Sequence, residues 1–208
     1  MVWNNQLRRD IPSDWNVMKL EDCISECGQA TKPGDHLREL PYCPIDEIPI
    51  RTMSFCGGKP YSEANSSLQL YCEDNILIGA MRVYFHRCCI ASENGITRTT
   101  TLVLKPIIDS FLAFFYGVLD EERAFSYAIK VSTGTQQPYV TWNAFSKYKF
   151  PFPKNTDIIK RYCAQIMPII QKVKSNAKET ERLIKQRDEL LPLLMNGQVN
   201  SDLFTVLV

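Results

Sequence analysis

Apolar residues along this chain change their period twice, and each change announces a different kind of element. In MRVYFHR, residues 81–87, Met81, Val83 and Phe85 alternate with Arg82, Tyr84 and His86, the period of two expected of a half-buried strand. Asn94-Gly95 follows, a dipeptide favoured in two-residue hairpin turns, and then the β-branched run ITRTTTLVL, so the pattern predicts an antiparallel hairpin closed by Lys105-Pro106. From Ile107 the period lengthens. Phe111, Phe114, Phe115 and Val118 stand at i, i+3, i+4 and i+7, which predicts a helix turning its aromatics toward a core. Upstream, Trp15 and Leu20 read as apolar anchors, residues 21–26 as a short helix, and the Pro-, Gly- and charge-rich residues 29–47 as loop. Pro49 suits the edge or first residue of a strand, which predicts a short strand over residues 50–55 ending at Gly57-Gly58. A second irregular region, residues 132–155, carries Gly134, Pro138, Pro151 and Pro153.

After Asn155 no glycine occurs before Gly197, and the pattern turns helical throughout. Counting in sevens gives Ile159, Ile166, Val173, Thr180, Arg187 and Leu194 in one register and Tyr162, Ile169, Asn176, Leu183 and Leu190 in the other, the alternation of a coiled-coil seam. Cys163, Ile170, Ala177, Ile184 and Leu191 widen the stripe on one side, so the helix can also bury a broader face. About 40 residues at about 1.5 Å each make a rod of roughly 60 Å, longer than a domain of about 150 residues is wide, so part of it must find a partner elsewhere. Asn176, Thr180 and Arg187 put polar groups on the seam, and Asn176 lies 17 residues from Ile159 and 18 from Leu194. Two antiparallel copies in full overlap would set Asn176 against its symmetry mate. Pro168 predicts a bend or break near residues 164–168, Pro192 acts similarly near the end, and Gly197 suits the residue that closes a helix, leaving residues 198–208 as a tail.

Composition narrows the partners. The 208 residues are 45% hydrophobic and 23% charged, with a formal net charge of +1, which suits one soluble domain with an extension and makes any DNA-binding face a local one. The N-terminal residues hold no apolar run of a signal peptide, and no stretch approaches the roughly 20 apolar residues that span a bilayer, so the expectation is a cytoplasmic protein with no membrane partner. Eight cysteines without C-x-x-C spacing, and only His36 and His86 beside them, read as reduced, packed thiols rather than a disulfide framework or a zinc site. There is no Gly-rich cofactor loop, no P-loop and no Asn/Asp-Pro-Pro-aromatic tetrad, so no catalytic residue, metal or cofactor is expected.

Four segments, LIKQRDELLPLLMNGQV, GTQQPYVTWNAFSKYKFPFP, IPSDWNVMKLEDC and ILIGAMRVYFHRCCIASENGITRTTTLVLKP, resemble the specificity subunit of type I restriction-modification enzymes, a likeness covering residues 11–199. The resemblance implies an α/β (α+β) target recognition domain over residues 1–155, with a twisted, mostly antiparallel sheet and packed helices. A long coiled-coil spacer helix over residues 156–197 then serves as docking surface for methyltransferase subunits. By the same likeness methyl transfer and ATP-driven cleavage belong to separate methyltransferase and restriction subunits, which the chain directs to a bipartite site on double-stranded DNA. Full subunits carry two recognition domains and two spacer helices, whereas this chain has one of each. A homodimer through antiparallel C-terminal helices would restore the symmetry. The competing readings are a coiled-coil scaffold or regulatory protein, and the detached recognition portion of a fused restriction-methylation enzyme.

For DNA contact, the polar face Arg82, Tyr84 and His86, with Arg87 beyond it and Arg98, Thr99 and Thr100 on the return strand, gathers groups that hold phosphates and read base edges. Lys59 and Tyr61 in the Gly-rich loop come next. Gln136, Gln137 and Asn143 rank below them, because their segment is expected to pack near the helix junction.

Overall fold

In the computed structural model, residues 1–53 and 58–197 are described. In chain order the strands are β1 (Val2–Asn4), β2 (Arg9–Ile11), β3 (Trp15–Lys19), β4 (Ile24–Glu26), β5 (Gln29–Thr31), β6 (Tyr42–Cys43), β7 (Leu68–Tyr71), β8 (Ile76–Gly79), β9 (Cys88–Ile90), β10 (Gly95–Arg98), β11 (Thr101–Pro106) and β12 (Lys149–Pro153). The helices are α1 (Leu112–Leu119), α2 (Glu122–Val131), α3 (Trp142–Phe145) and α4 (Asp157–Met195). Two four-stranded sheets carry the fold. One runs β4-β11-β8-β9, antiparallel throughout, and the other runs β5-β7-β10-β6, antiparallel except where β10 meets β6. β12 pairs with β3, so the start of the chain is tied to the entry of α4.

Burial explains the layering. β8 is buried on both faces, and its unbroken apolar run Ile76-Leu77-Ile78 is what a strand covered on both sides requires. Ile76 and Ile78, with Leu102 and Leu104 of β11, join Phe115, Phe125, Phe145, Phe150, Ile159, Cys163 and Ile170 in the main core, between this sheet and the helices. Leu77, Val103 and Cys89 belong instead to a second cluster with Cys43, Ile48 and Tyr71, between the two sheets. Each such side chain removed from water stabilises the fold by about 1.5–3 kcal/mol. The mixed α+β architecture with mostly antiparallel sheets and a long last helix agrees with the sequence reading.

Several local expectations fail. Residues 81–86 are no strand: Val83–Phe85 form one turn of 3-10 helix between Arg82 and His86, both in the left-handed region at φ 51° and 52°. Asn94-Gly95 turns no hairpin, because β9 pairs with β8 whereas β10 pairs with β7 and β6. Gly95 serves close approach rather than a positive φ, since a side chain there would collide with the Tyr71 ring. Of the short helix expected over residues 21–26 only one 3-10 turn, Leu20–Asp22, forms before β4, and the expected loop of residues 29–47 contributes β5 and β6 as edge strands. Of the strand expected over residues 50–55, Ile50 makes only an isolated bridge to Arg87 and Arg51 has φ 54°, while residues 54–55 lie outside the described residues, as does Cys56. The helix expected from Ile107 begins at Leu112 and breaks at Asp120–Glu121, leaving Ile107 and Ile108 exposed.

The last helix is continuous through Pro168 and Pro192, so the break expected at residues 164–168 is absent. Its 39 residues extend about 58 Å. Ile159, Cys163, Ile170, Lys174 and Ala177 are buried against the domain, and every residue from 178 to 197 is exposed. Gly197 closes the helix at φ 63°, its amide donating to Leu194 O, as the sequence predicts. The tail, residues 198–208, lies outside the described residues.

Candidate nucleic-acid interface

Three loops meet at the ends of β8 and β11. The amide of Ala80 donates to Thr100 O at 2.9 Å and that of Arg82 to Pro138 O at 2.7 Å, while Met81 bridges Tyr139 and the Tyr139 hydroxyl donates to Thr99 O at 3.3 Å. The 82–86 turn, the 98–101 turn and the 133–139 loop therefore form one surface. Gln136 and Gln137, expected near the helix junction, are exposed on this surface instead. Gly134, at φ 93°, together with Pro138 marks the tight loop that carries them, a signal visible in the sequence whose place in space was not.

Each loop is braced from behind. At residues 98–101 the Gln69 side-chain amide donates to Arg98 O at 3.2 Å and to Thr101 O, and the buried Thr97 and Thr101 hydroxyls bond at 3.0 Å. Arg98 and Thr99 are left exposed and Thr100 half-buried. At residues 82–86 the plug is Val83, buried in the main core. His86, only 5% exposed, stacks on Phe125 with ring centroids 3.7 Å apart, and its Nε2 donates to Asp120 Oδ1 at 2.9 Å and to Asp120 O at 3.0 Å. Both of these acceptors are oxygens, so Nε2 carries the proton. Nδ1 has no hydrogen-bond partner among the described residues and faces Glu122 Oε1 at 3.6 Å. Left-handed backbone at a non-glycine residue costs on the order of 1–3 kcal/mol and persists only where the surroundings fix it, as Val83 and His86 do here.

These placements sort the sequence-predicted residues. Arg82, Tyr84, Arg98 and Thr99 are exposed on the three-loop surface, and among the described residues neither Arg82 nor Arg98 has an ion pair or side-chain hydrogen bond. His86 is buried and faces inward, and Arg87 is held from behind, its guanidinium donating to Asp46 O at 2.9 Å and to Ile48 O. Both stand in the framework of the turn, because the polar row of the expected strand does not exist. Lys59 is bridged to Tyr42 of β6 and lies 3.9 Å from Glu47 and 3.7 Å from Glu63, and the Tyr61 hydroxyl donates to Asp35 at 3.4 Å. Arg98 links this edge to the loops: burial pushes the Tyr42 hydroxyl up, and Arg98 is the nearby charge that opposes it. Phe85, exposed beside Tyr84, belongs to the surface and was missed, since the strand reading turned it inward.

The thiols behave as packed groups. Cys23, Cys43, Cys88, Cys89 and Cys163 are buried and free, and burial raises their pKa, that of Cys23 to about 11. Among the described residues no group of three or more His, Cys, Asp or Glu side chains is arranged to hold a metal, and no helix is long and apolar enough to cross a membrane.

Two stacked sheets with helices on one face carry exposed arginines on a braced loop surface, and one long helix projects from the domain. Proteins of that build are known. No family model matches the sequence. The chain is 24% identical over 213 aligned positions to the type I restriction enzyme MjaIX specificity subunit of Methanocaldococcus jannaschii, covering 95% of this chain and 47% of that protein. Its fold resembles the HsdS subunit of Thermoanaerobacter tengcongensis, with a TM-score of 0.58 at 17% identity over 91% of this chain and 49% of that one. It also resembles the type I restriction-modification S subunit of M. genitalium, with a TM-score of 0.54 at 13% identity over 89% and 47%. The chain thus resembles type I specificity subunits in sequence and in fold, and it spans about half the length of each of these relatives.

Proposed function

We propose that the chain does the work of a DNA-reading specificity subunit of a type I restriction-modification system, supplying one recognition domain and one spacer helix. The observation that carries this reading is the pattern of coverage: nearly the whole chain matches about half of a specificity subunit, and what it contains is one domain and one helix. Residues 1–155 are the recognition domain and residues 156–197 the spacer, whose first half also completes the domain's core. Two copies pair through antiparallel α4 helices along the seam from Tyr162 to Leu194, with Asn176 near the twofold axis, and hold two recognition surfaces at a fixed separation. The dimer reads a bipartite, palindromic site on double-stranded DNA in the cytoplasm. Methyltransferase and restriction subunits supply the chemistry, and this chain supplies none. Arg82 and Arg98 meet the DNA with Tyr84, Thr99 and Thr100, while Lys59 and Tyr61 flank them. The unpaired guanidiniums and the backbone-braced loops favour this over a scaffold without DNA specificity, which has no need of exposed cations on rigid turns.

The test is methylome sequencing of a host carrying the gene with its methyltransferase, against the same host lacking the gene. Loss of one bipartite methylated motif is the expected result. An unchanged set of motifs overturns the assignment.

A further inference from the structure

The 82–86 turn is built more rigidly than a phosphate contact needs. Its tip is a pair of aromatic rings, Tyr84 and Phe85, exposed at 46% and 38%, with centroids 4.8 Å apart and planes tilted by 52°. Behind Phe85 stands the Arg87 guanidinium, 5.7 Å from the ring centroid and tethered by main-chain carbonyls of Asp46 and Ile48. Below the tip Val83 is sunk in the core. The two flanking residues, Arg82 and His86, are both left-handed, one bonded to Pro138 O and the other locked to Asp120 and Phe125. Water alone disfavours two aromatic rings on a solvent-facing turn, and a loop that merely steers a cation to a phosphate has no use for them. Rings held stiffly beside an unpaired arginine suit a ligand that offers negative charge next to a flat apolar face. Duplex DNA offers both wherever a base step opens.

Resting on the DNA-reading assignment above, we propose that Tyr84, backed by Phe85, is a wedge that inserts against an opened base step within each half-site, with Arg82 on the adjoining phosphate. The chain then reads that step through the ease with which it unstacks, so a pyrimidine–purine step is favoured there and a stiff A-tract is rejected. Specificity of this kind needs no hydrogen bond to a base edge. It adds an element of recognition to the polar groups of the neighbouring turns.

The test uses the full-length chain, alone and with its methyltransferase subunit, on duplexes carrying the motif identified by methylome sequencing. 2-Aminopurine replaces one base at a time, the methylated base's own position excepted. Unstacking at one step per half-site, seen as a fluorescence rise that Tyr84→Ala abolishes and Tyr84→Phe keeps, is the expected outcome. Tyr84→Ala is also expected to weaken binding about tenfold on the favoured step, and to lose the wild-type preference for a flexible step over an A-tract. Binding by the wild type with no fluorescence rise at any step overturns the wedge. So does a Tyr84→Ala variant with unchanged affinity and step preference, and in both cases DNA reading by the chain still stands. Absence of salt-sensitive binding to any duplex, alone or with the methyltransferase subunit, sinks the DNA assignment and the wedge with it.

Discussion

The two halves of α4 carry the same stripe of aliphatic residues and meet opposite surroundings. Over residues 157–177 the row beside the heptad seam is buried: Cys163, Ile170 and Ala177 lie against the domain with Ile159. The seam itself is divided there: Ile159 is buried and Ile166 and Val173 are half-buried, while Tyr162 and Ile169 stay open at 42% and 57% exposed. Beyond residue 177 both rows face solvent, and Leu183, Ile184, Leu190, Leu191 and Leu194 are all exposed. The contrast teaches that the flanking row, together with Ile159 and Ile166, seats the first half of the helix on its own domain, which leaves the whole apolar stripe free only in the second half. A helix laid down only to close a core would end its apolar stripe where the contact with the domain ends.

Substitutions in the two halves should therefore separate domain stability from assembly. Ile170→Ala opens a cavity in the main core and is expected to destabilise the domain by about 2–5 kcal/mol, read as a lowered denaturation midpoint. Lys174, whose side chain is 8% exposed, bonds to Asp74 and reaches Glu73 at 3.4 Å across the turn between β7 and β8. Both carboxylates are about half-exposed and can rehydrate, so Lys174→Ala should lower stability by about 1–2 kcal/mol, less than the loss of a wholly buried pair. The double substitution Leu190→Asp with Leu194→Asp should change stability by less than about 0.5 kcal/mol when both proteins are unfolded at concentrations where the wild type is monomeric, while turning a dimer into a monomer in sedimentation at higher concentration. Asn176→Leu should leave the midpoint unchanged and spread the dimer over several alignments or oligomeric states, whereas a single unchanged dimer species would remove Asn176 as the register residue. If Leu190→Asp with Leu194→Asp lowered the midpoint as far as Ile170→Ala, the contrast between the halves would be gone.

How much was legible in the sequence follows from which forces decided each element. The long helix was readable because a repeated apolar stripe, a terminal glycine and the lack of internal glycine all agree over nearly 40 residues. The core aromatics Phe111 and Phe115 were readable for the same reason. Of the bend or break expected from Pro168, the break does not occur, since the helix runs through it. The 81–86 segment misled. Its alternation sends Val83 inward whether the backbone is a strand or a single tight turn, and only the anchors Asp120, Phe125 and Pro138, distant in sequence, choose the turn. Asn94-Gly95 failed for a tertiary reason, because β10 finds better partners in β7 and β6 than in its sequence neighbour. Site residues depended on such long-range choices, so Arg82, Arg98 and Thr99 were found as a cluster, whereas Phe85, Gln136 and Gln137 were placed on the wrong side or in the wrong region.

The clamp of Lys174 on the turn of Glu73 and Asp74 sits just before α4 leaves the domain. From there the free portion, residues 178–197, projects about 30 Å, and such a projection is a lever arm. A swing of about 10° at the clamp would carry its far end through about 5 Å, roughly one and a half base-pair steps at 3.4 Å each. In the proposed dimer, that one ammonium group would therefore bear on which spacing between half-sites is tolerated.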